Sequence, residues 1–274
     1  MKPIAFTKMN GSGNDFVIID NRAAVAPPEL PAFIRGVCRR KLAVGADGLI
    51  LIEDDLDHDF KWQFFNADGS RAEMCGNGAR CAARFAFVNG IAGARMTFAT
   101  DAGTIAAEVL GEDVKIRMTD PCDLVNDDTL ALTTGVQPVS SINTGVPHVI
   151  VETDDLEAVP VVELGREIRH HEHYAPAGTN VNFMAIRQPG AIAVRTYERG
   201  VEDETLACGT GCVAAALIAA VRYDWASPIE VTTRSGGVLT IHFEREVLTF
   251  GPVYLEGDAR IVYAAELQAD ALKP

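Results

Sequence analysis

The chain carries two copies of one sequence pattern, and this limits its fold more than any other feature does. Met74-Cys75-Gly76-Asn77-Gly78-Ala79 and Ala207-Cys208-Gly209-Thr210-Gly211-Cys212 stand 208 − 75 = 133 residues apart. The same offset pairs Asn10 with Asn143, Ala82 with Ala215, Thr100 with Thr233, Gly103 with Gly236 and Val114 with Val247. It also lays the apolar run Phe16-Val17-Ile18 over Val149-Ile150-Val151. Matches at one spacing, near half of a 274-residue chain, mark two homologous halves.

Each half reads with the same layout. Strand-forming runs at Phe16–Asp20 and His148–Glu152 are followed by predicted helices over Glu29–Leu42 and Val161–His171. Two strands come next in each half, Leu49–Glu53 and Lys61–Phe65, then Val181–Ile186 and Ala191–Tyr197. The CGxG elements open alanine-rich helices over Gly76–Val88 and Gly209–Arg222, the second apolar nearly all round and therefore enclosed by other structure. Alternating strands resume after them: Leu239, Ile241 and Phe243 in one half, Ile105, Ala107 and Val109 in the other. Thr100–Gly103 and Thr233–Gly236 read as hairpin turns. The expected fold class is α/β (α+β): two homologous domains related by a pseudo-two-fold axis, each a mainly antiparallel curled sheet around a central helix, with the active site in the cleft between them. The expected domains are 1–119 plus 260–274, carrying Cys75, and 120–259, carrying Cys208.

Composition removes several classes of function. With 24 Lys+Arg against 38 Asp+Glu, a formal charge of −14, the chain is a poor match for nucleic acid, and its one dense basic run, Arg39-Arg40-Lys41, ends a predicted helix. No apolar stretch is long enough for a membrane span, and Met1–Lys8 lacks the apolar core of an export signal. The expectation is a cytoplasmic protein whose six cysteines are reduced thiols. The spacings of Cys75/Cys81 and Cys208/Cys212 do not suit zinc, and His170-His171-Glu172-His173 reads as a solvated helix end, so no metal is expected. Gly11-Ser12-Gly13 lacks the third glycine of a dinucleotide loop.

A cysteine placed just before Gly-x-Gly at a helix start is chemically particular. Unpaired N–H groups and the positive end of the helix dipole stabilise a thiolate there, and the same N–H groups can hold a carboxylate. One such cysteine suggests a nucleophile. Two, related by a two-fold axis, suggest an acid and a base on opposite sides of a carbon centre. The other four, Cys38, Cys81, Cys122 and Cys212, read as small apolar residues.

With these residues in view, the sequence resembles the diaminopimelate epimerases. The resemblance is carried by Gly13-Asn14-Asp15-Phe16, Phe65-Asn66-Ala67-Asp68-Gly69-Ser70, Met74–Arg80, and Glu198-Arg199-Gly200 leading to Ala207–Gly211, in the family's order and over essentially the whole chain. It implies an isomerase that interconverts LL-diaminopimelate and the meso isomer with no pyridoxal phosphate, metal or other cofactor, in lysine and peptidoglycan precursor biosynthesis. It also implies a homodimer. Position by position, Cys75 and Cys208 match the two catalytic cysteines, and Gly76-Asn77 and Gly209-Thr210 match the backbone cradle for the reacting carboxylate. Asn14, Asn66, Asn180, Glu198 and Arg199 match side chains that hold substrate, and His148 matches a histidine that assists a catalytic thiol.

Two positions depart from the pattern: Val146 stands where many relatives have Asn, and Gly48 where some have Gln. Three other readings compete. Proline-type racemases tend to carry Cys-Gly-His at the first site, where Asn77 stands here, and the phenazine-pathway isomerase type uses other catalytic residues. A thiol redox sensor or a binding protein without turnover is the third.

Overall fold

A computed structural model describes residues 3–272. Met1 and Lys2, read above for an export signal, and Lys273 and Pro274, placed above in the first domain, lie outside the described residues. The chain divides into two compact units, the first running to Ile116 and resuming at Gly257, the second comprising Arg117–Glu256.

In the first unit β1 (Ile4–Gly11) and β2 (Asn14–Asp20) form an antiparallel hairpin. Helix α1 (Leu30–Cys38) leads to β3 (Gly48–Glu53), parallel to β2, and β4 (Phe60–Asn66) returns antiparallel with the short β5 (Arg71–Ala72) beside it. Helix α2 (Gly76–Val88) precedes β6 (Arg95–Thr100), parallel to β4, and hairpins add β7 (Gly103–Leu110) and β8 (Asp113–Arg117). Phe16-Val17-Ile18-Ile19 is buried along its whole length because β2 is covered on both faces. Val17, Ile19, Leu49 and Leu51 pack with Phe33, Ile34 and Val37 of α1, while Ile50 and Trp62 lie against Gly78 of α2.

The second unit repeats this plan. Strands β9 (Cys122–Leu132), β10 (Gly135–Asn143) and β11 (Pro147–Glu152) are antiparallel neighbours, followed by α3 (Val161–Arg169). Strand β12 (Asn180–Gln188) runs parallel to β11; β13 (Ala191–Glu198) and β14 (Asp203–Thr205) follow antiparallel. Helix α4 (Gly209–Tyr223) leads to β15 (Ile229–Thr232), parallel to β13, then β16 (Val238–Glu246) and β17 (Thr249–Asp258). The chain then returns to the first unit as β18 (Arg260–Leu267), which pairs with β1 as β9 pairs with β10. Each unit is a mainly antiparallel sheet with two parallel joints, curled about its CGxG helix. Residues Gly211 to Ala220 of α4 are all buried, which explains their small, apolar composition.

Two expectations need correction. The first helix ends at Cys38 instead of Leu42, with Arg39 extended and Lys41 at φ +68°. The N–H groups of Gly45 and Ala46 take the Val37 and Cys38 carbonyls, which ends the helix and leaves Arg39-Arg40-Lys41 outside it. Likewise α3 stops at Arg169, and Glu172–Tyr174 form a separate 3-10 turn capped by His171.

The second correction concerns register. Phe16 is paired with Gly48 and His148 with Asn180, so equivalent positions here are 148 − 16 = 132 and 180 − 48 = 132 apart. The first hairpin carries Gly11-Ser12-Gly13-Asn14 between paired Asn10 and Asp15; the second carries only Thr144-Gly145-Val146 between Asn143 and Pro147. The missing residue is regained before the helix, since 76 − 66 = 10 whereas 209 − 198 = 11. Phe16 therefore corresponds to His148 and not to Val149. A one-residue slip exchanges the two faces of a strand, so the correction changes which side chains are equivalent.

Helix α3 lies against β13 so closely at Gly165 that a Cβ there would stand 2.5 Å from Tyr197 Cβ. Gly165→Ala is expected to lower the unfolding free energy by about 1–3 kcal/mol, the usual cost of overpacking, as read from urea denaturation midpoints. Gly93→Ala, where an added Cβ would meet nothing closer than the Arg95 carbonyl oxygen at 3.7 Å, controls for the loss of a glycine.

Candidate active site

Both CGxG helices begin in the same way. Cys75 and Cys208 occupy the N-cap positions with extended backbone (φ −151°, ψ 115° and φ −118°, ψ 108°), and neither side chain caps its helix. The first intrahelical donors are the N–H groups of Ala79 and Cys212, so three amides stand ahead of them in each helix, those of Gly76–Gly78 and Gly209–Gly211. Natural caps are usually Ser, Thr, Asp or Asn, whose oxygens satisfy such donors. A cysteine in that place leaves N–H groups and helix dipole available to an anion.

In the first unit Asn77 is buried directly behind Cys75. Its Nδ2 donates to Asn14 Oδ1 at 2.8 Å, and Asn14 Nδ2 donates to Asp47 Oδ2 at 3.1 Å. The chain of donors fixes both amides and points back to a charged cluster. Asp15 lies 2.7 Å from Lys8 and 2.6 Å from Arg40, and Arg40 also meets Asp47 at 2.6 Å. Burial works to raise the Asp15 carboxyl, but hydrogen bonds from Arg40 and Lys8 outweigh it and hold it at about 2. Asn77 Oδ1 is buried with no hydrogen-bond partner among the described residues. Asn66, at the exposed end of β4, donates to Ser70 Oγ at 3.0 Å and so serves its own turn.

In the second unit Cys208 is buried, and its Sγ lies 3.5 Å from Thr210 Oγ1. The Thr210 carbonyl accepts from Thr144 Oγ1 at 3.0 Å, tying the helix start to the β10–β11 turn. Asn180 donates to the Pro147 carbonyl and accepts from the Arg199 N–H at 2.9 Å, while the Arg199 guanidinium donates to the carbonyls of Ala177 and Gly178. Glu198 ends β13, where burial pushes its carboxyl upward. His148 is buried, its Nδ1 is 3.0 Å from Asn182 Nδ2, and burial drives its imidazolium down to about 3. The sequence-predicted residues thus assemble within each unit: Cys75, Gly76, Asn77 and Asn14 in one, Cys208, Gly209, Thr210, Asn180 and Arg199 in the other. Asn66 and Glu198 close equivalent strands, 198 − 66 = 132 residues apart.

The sequence reading missed Asp47, which orients Asn14, and Asn182, which contacts His148. The signal available for Asp47 was the pairing of β2 with β3. The departure at Gly48 has a local cause: a Cβ there would lie 2.7 Å from both Phe64 Cε2 and the Phe65 carbonyl oxygen, so this strand pair has no room for Gln. Val146 receives a hydrogen bond from Thr144 N at its carbonyl, a contact that needs no side chain.

The remaining cysteines separate from the pair. Burial pushes the Cys38 and Cys81 thiols up to about 12, consistent with inert packing residues. Cys122, expected to be buried, is exposed at the start of β9 and donates to Asp123 Oδ2 at 3.3 Å, which raises its pKa. His170 and His173 face Glu202 and Asp128 at 3.6 and 3.2 Å. Among the described residues no group of His, Cys, Asp and Glu is placed to hold a metal, and no helix is long and apolar enough to cross a membrane.

The Asp15 cluster makes a stability prediction. Its carboxyl is depressed in the folded state, so its contribution is complete above the ordinary carboxylate value of 3.8 and is lost as pH falls from there toward 2. Asp15→Asn is expected to destabilise the protein by about 2 kcal/mol at pH 7. The gap from wild type should narrow below pH 4, as followed by urea denaturation across that range.

Comparison with known proteins places this geometry in a family. The model of the diaminopimelate epimerase family matches residues 6–125 and 140–262. Diaminopimelate epimerase of Aquifex aeolicus is 47% identical, covering 98% of this chain and 99% of its own length. The Archaeoglobus fulgidus protein of the same name is 41% identical over 98% of both. Among solved structures, a phenazine biosynthesis protein of the PhzF family from Bacillus anthracis has a TM-score of 0.75 at 17% identity, covering 98% of this chain and 100% of that one. A probable proline racemase from Agrobacterium radiobacter scores 0.69 at 16% identity, covering 99% and 94%. These two share the fold; the identity of 47% and 41% over the full length settles the kinship, and the chain belongs to the diaminopimelate epimerase family.

Proposed function

We propose that the protein interconverts LL- and meso-diaminopimelate in lysine biosynthesis by removing the α-proton with one thiolate and returning a different proton to the opposite face from a second thiol. The observation that carries this reading is the pair of uncapped helix starts, each headed by cysteine, in a chain of this family. Inversion at carbon needs one group to take the α-proton from one face and a second to return a proton to the other. In one direction a thiolate removes the proton: its S–H bond forms, the Cα–H bond breaks, and the electron pair passes toward the carboxylate. The second thiol then gives its proton to the opposite face and becomes a thiolate. The balance closes with two cysteines and no electron acceptor.

The amides of Gly76-Asn77 and Gly209-Thr210 hold the reacting carboxylate, where their dipoles stabilise the negative charge as it develops. Asn14, Asn66, Asn180, Glu198 and Arg199 hold the rest of the substrate. The Arg199 fork suits the distal carboxylate, and Glu198 suits an ammonium. His148 assists a thiol. Asn14 and Asn180 are already held by protein partners, so substrate meets amides whose orientation is set in advance. The family resemblance further supports a cytoplasmic homodimer feeding peptidoglycan precursors; sedimentation of the purified protein tests the dimer.

The test is proton NMR of LL-diaminopimelate in heavy water with reduced enzyme. Deuterium is expected at one α-carbon as the meso isomer forms. Cys75→Ser and Cys208→Ser are each expected to lower turnover by about 10²- to 10⁴-fold, the range for loss of an acid–base group. Exchange with a different amino acid, or none at all, would overturn the assignment.

A further inference from the structure

A polar row crosses the second unit beneath the start of α4. His148, Asn182 and Thr196 lie on adjacent strands β11, β12 and β13, on the sheet face that α4 covers, and all three are at most 3% exposed. Asn182 is the middle of the row and its amide is fully committed. Its Oδ1 accepts from Thr196 Oγ1 at 2.9 Å, and its Nδ2 reaches both the Val149 carbonyl at 3.2 Å and His148 Nδ1 at 3.0 Å. The Thr196 hydroxyl and the Val149 carbonyl leave only one way round for that amide. The nitrogen therefore donates to His148 Nδ1, and the ring's proton sits on Nε2. His148 Nε2 is buried with no hydrogen-bond partner among the described residues.

The first unit shows what this place in the fold requires for packing alone. At the 132-residue offset the equivalents of His148, Asn182 and Thr196 are Phe16, Ile50 and Phe64. Those residues are buried as well, with the Phe16 and Phe64 rings edge to face at 6.0 Å. Each row supports the glycine of its helix start. A Cβ on Gly78 would stand 3.3 Å from Ile50 Cδ1; one on Gly211 would stand 2.2 Å from Asn182 Oδ1 and 3.4 Å from Cys208 Cβ. The same architecture thus closes over three apolar side chains in one unit and over a hydrogen-bonded polar row in the other. Burying polar groups costs free energy that the apolar set avoids, so packing does not account for the choice.

We propose that Asn182 is a positioning residue for the epimerisation, holding His148 as a neutral ring that presents Nε2–H to the reacting groups, with Thr196 fixing Asn182 and Gly211 leaving it room. This rests on the reading of His148 as part of the site. The histidine acts as a hydrogen-bond donor whose direction is set before substrate arrives, not as a group that must first change its protonation.

The test is ¹⁵N NMR of histidine-labelled enzyme, with the His148 resonances assigned by their loss in His148→Gln. Wild type is expected to show the Nε2–H tautomer across pH 6 to 8; an Nδ1–H ring or an imidazolium there would overturn the proposal without any variant. Asn182→Asp, which offers an acceptor in place of the donor, is expected to move the proton to Nδ1 and lower kcat at least about tenfold, with KM within threefold. Asn182→Ile, the residue of the first unit, leaves Thr196 and His148 Nδ1 without this partner and is expected to lower the thermal midpoint, and to lose kcat to a similar degree when assayed well below that midpoint. Wild-type kcat in both variants would overturn the role of Asn182. Wild-type kcat in His148→Gln would overturn the reading of His148 itself, even where the tautomer is as expected.

Discussion

The rest of the structure follows from enclosing a helix on all sides by one curled sheet. A helix so enclosed has no solvent face, so its side chains must be small, and α4 accordingly presents Ala214-Ala215-Ala216 and Ala219-Ala220 at no measurable exposure. Side chains this small bring strands close on every side and hold the helix in one position. Its N-terminus, the one end where backbone donors lack partners, is then fixed as well. A cap of the ordinary kind would satisfy those donors from within. Cysteine in that position leaves them to an external anion and puts a thiol within their field. Donors open to an anion and a thiol beside them are therefore consequences of one backbone arrangement.

Duplication supplies this arrangement twice, and the two copies have since diverged in what supports it. Behind Cys75 stands a charged cluster, Lys8, Asp15, Arg40 and Asp47, that orients Asn14 and through it Asn77. Behind Cys208 the equivalent of Asp47 at the 132-residue offset is Thr179, and the equivalent of Asn14 is Val146. Losing the amide at 146 removes the need for a carboxylate to hold it. The support in that unit comes from beneath instead, through His148, Asn182 and Thr196. The two helix starts are alike in backbone and differ in the side chains that surround them.

Much of this was legible in the sequence because periodicity and glycine placement act locally. The CGxG motif specifies a helix start by itself, and Gly76–Val88 follows from it without reference to the rest of the fold. The strands of the repeat were found within a residue or two for the same reason. What the sequence hid depends on long-range pairing. The offset of 133 holds for the cysteines and fails for β2 to β4, because a hairpin lost one residue that a later loop restored. No local pattern records such a compensation, and with it went the equivalence of His148 to Phe16. The overextended first helix has a similar cause: Arg39-Arg40-Lys41 suits a helix end, but Arg40 is drawn out of line by Asp15 and Asp47.

The same distinction bears on which cysteines can do chemistry. A thiol in an apolar core is held protonated because burial penalises its anion, and Cys38 and Cys81 are pushed up to about 12 on that account. Cys81 sits in α2 itself, six positions after Cys75 (81 − 75 = 6), so membership of the CGxG helix does not confer reactivity. Position along it sets the field a thiol feels. The helix dipole and the unpaired amides act within the first turn and fade beyond it. A residue at the cap feels both, whereas one in the second turn feels mainly the surrounding hydrocarbon. A thiol at the cap thus sits where the backbone itself can offset part of what burial costs a charge.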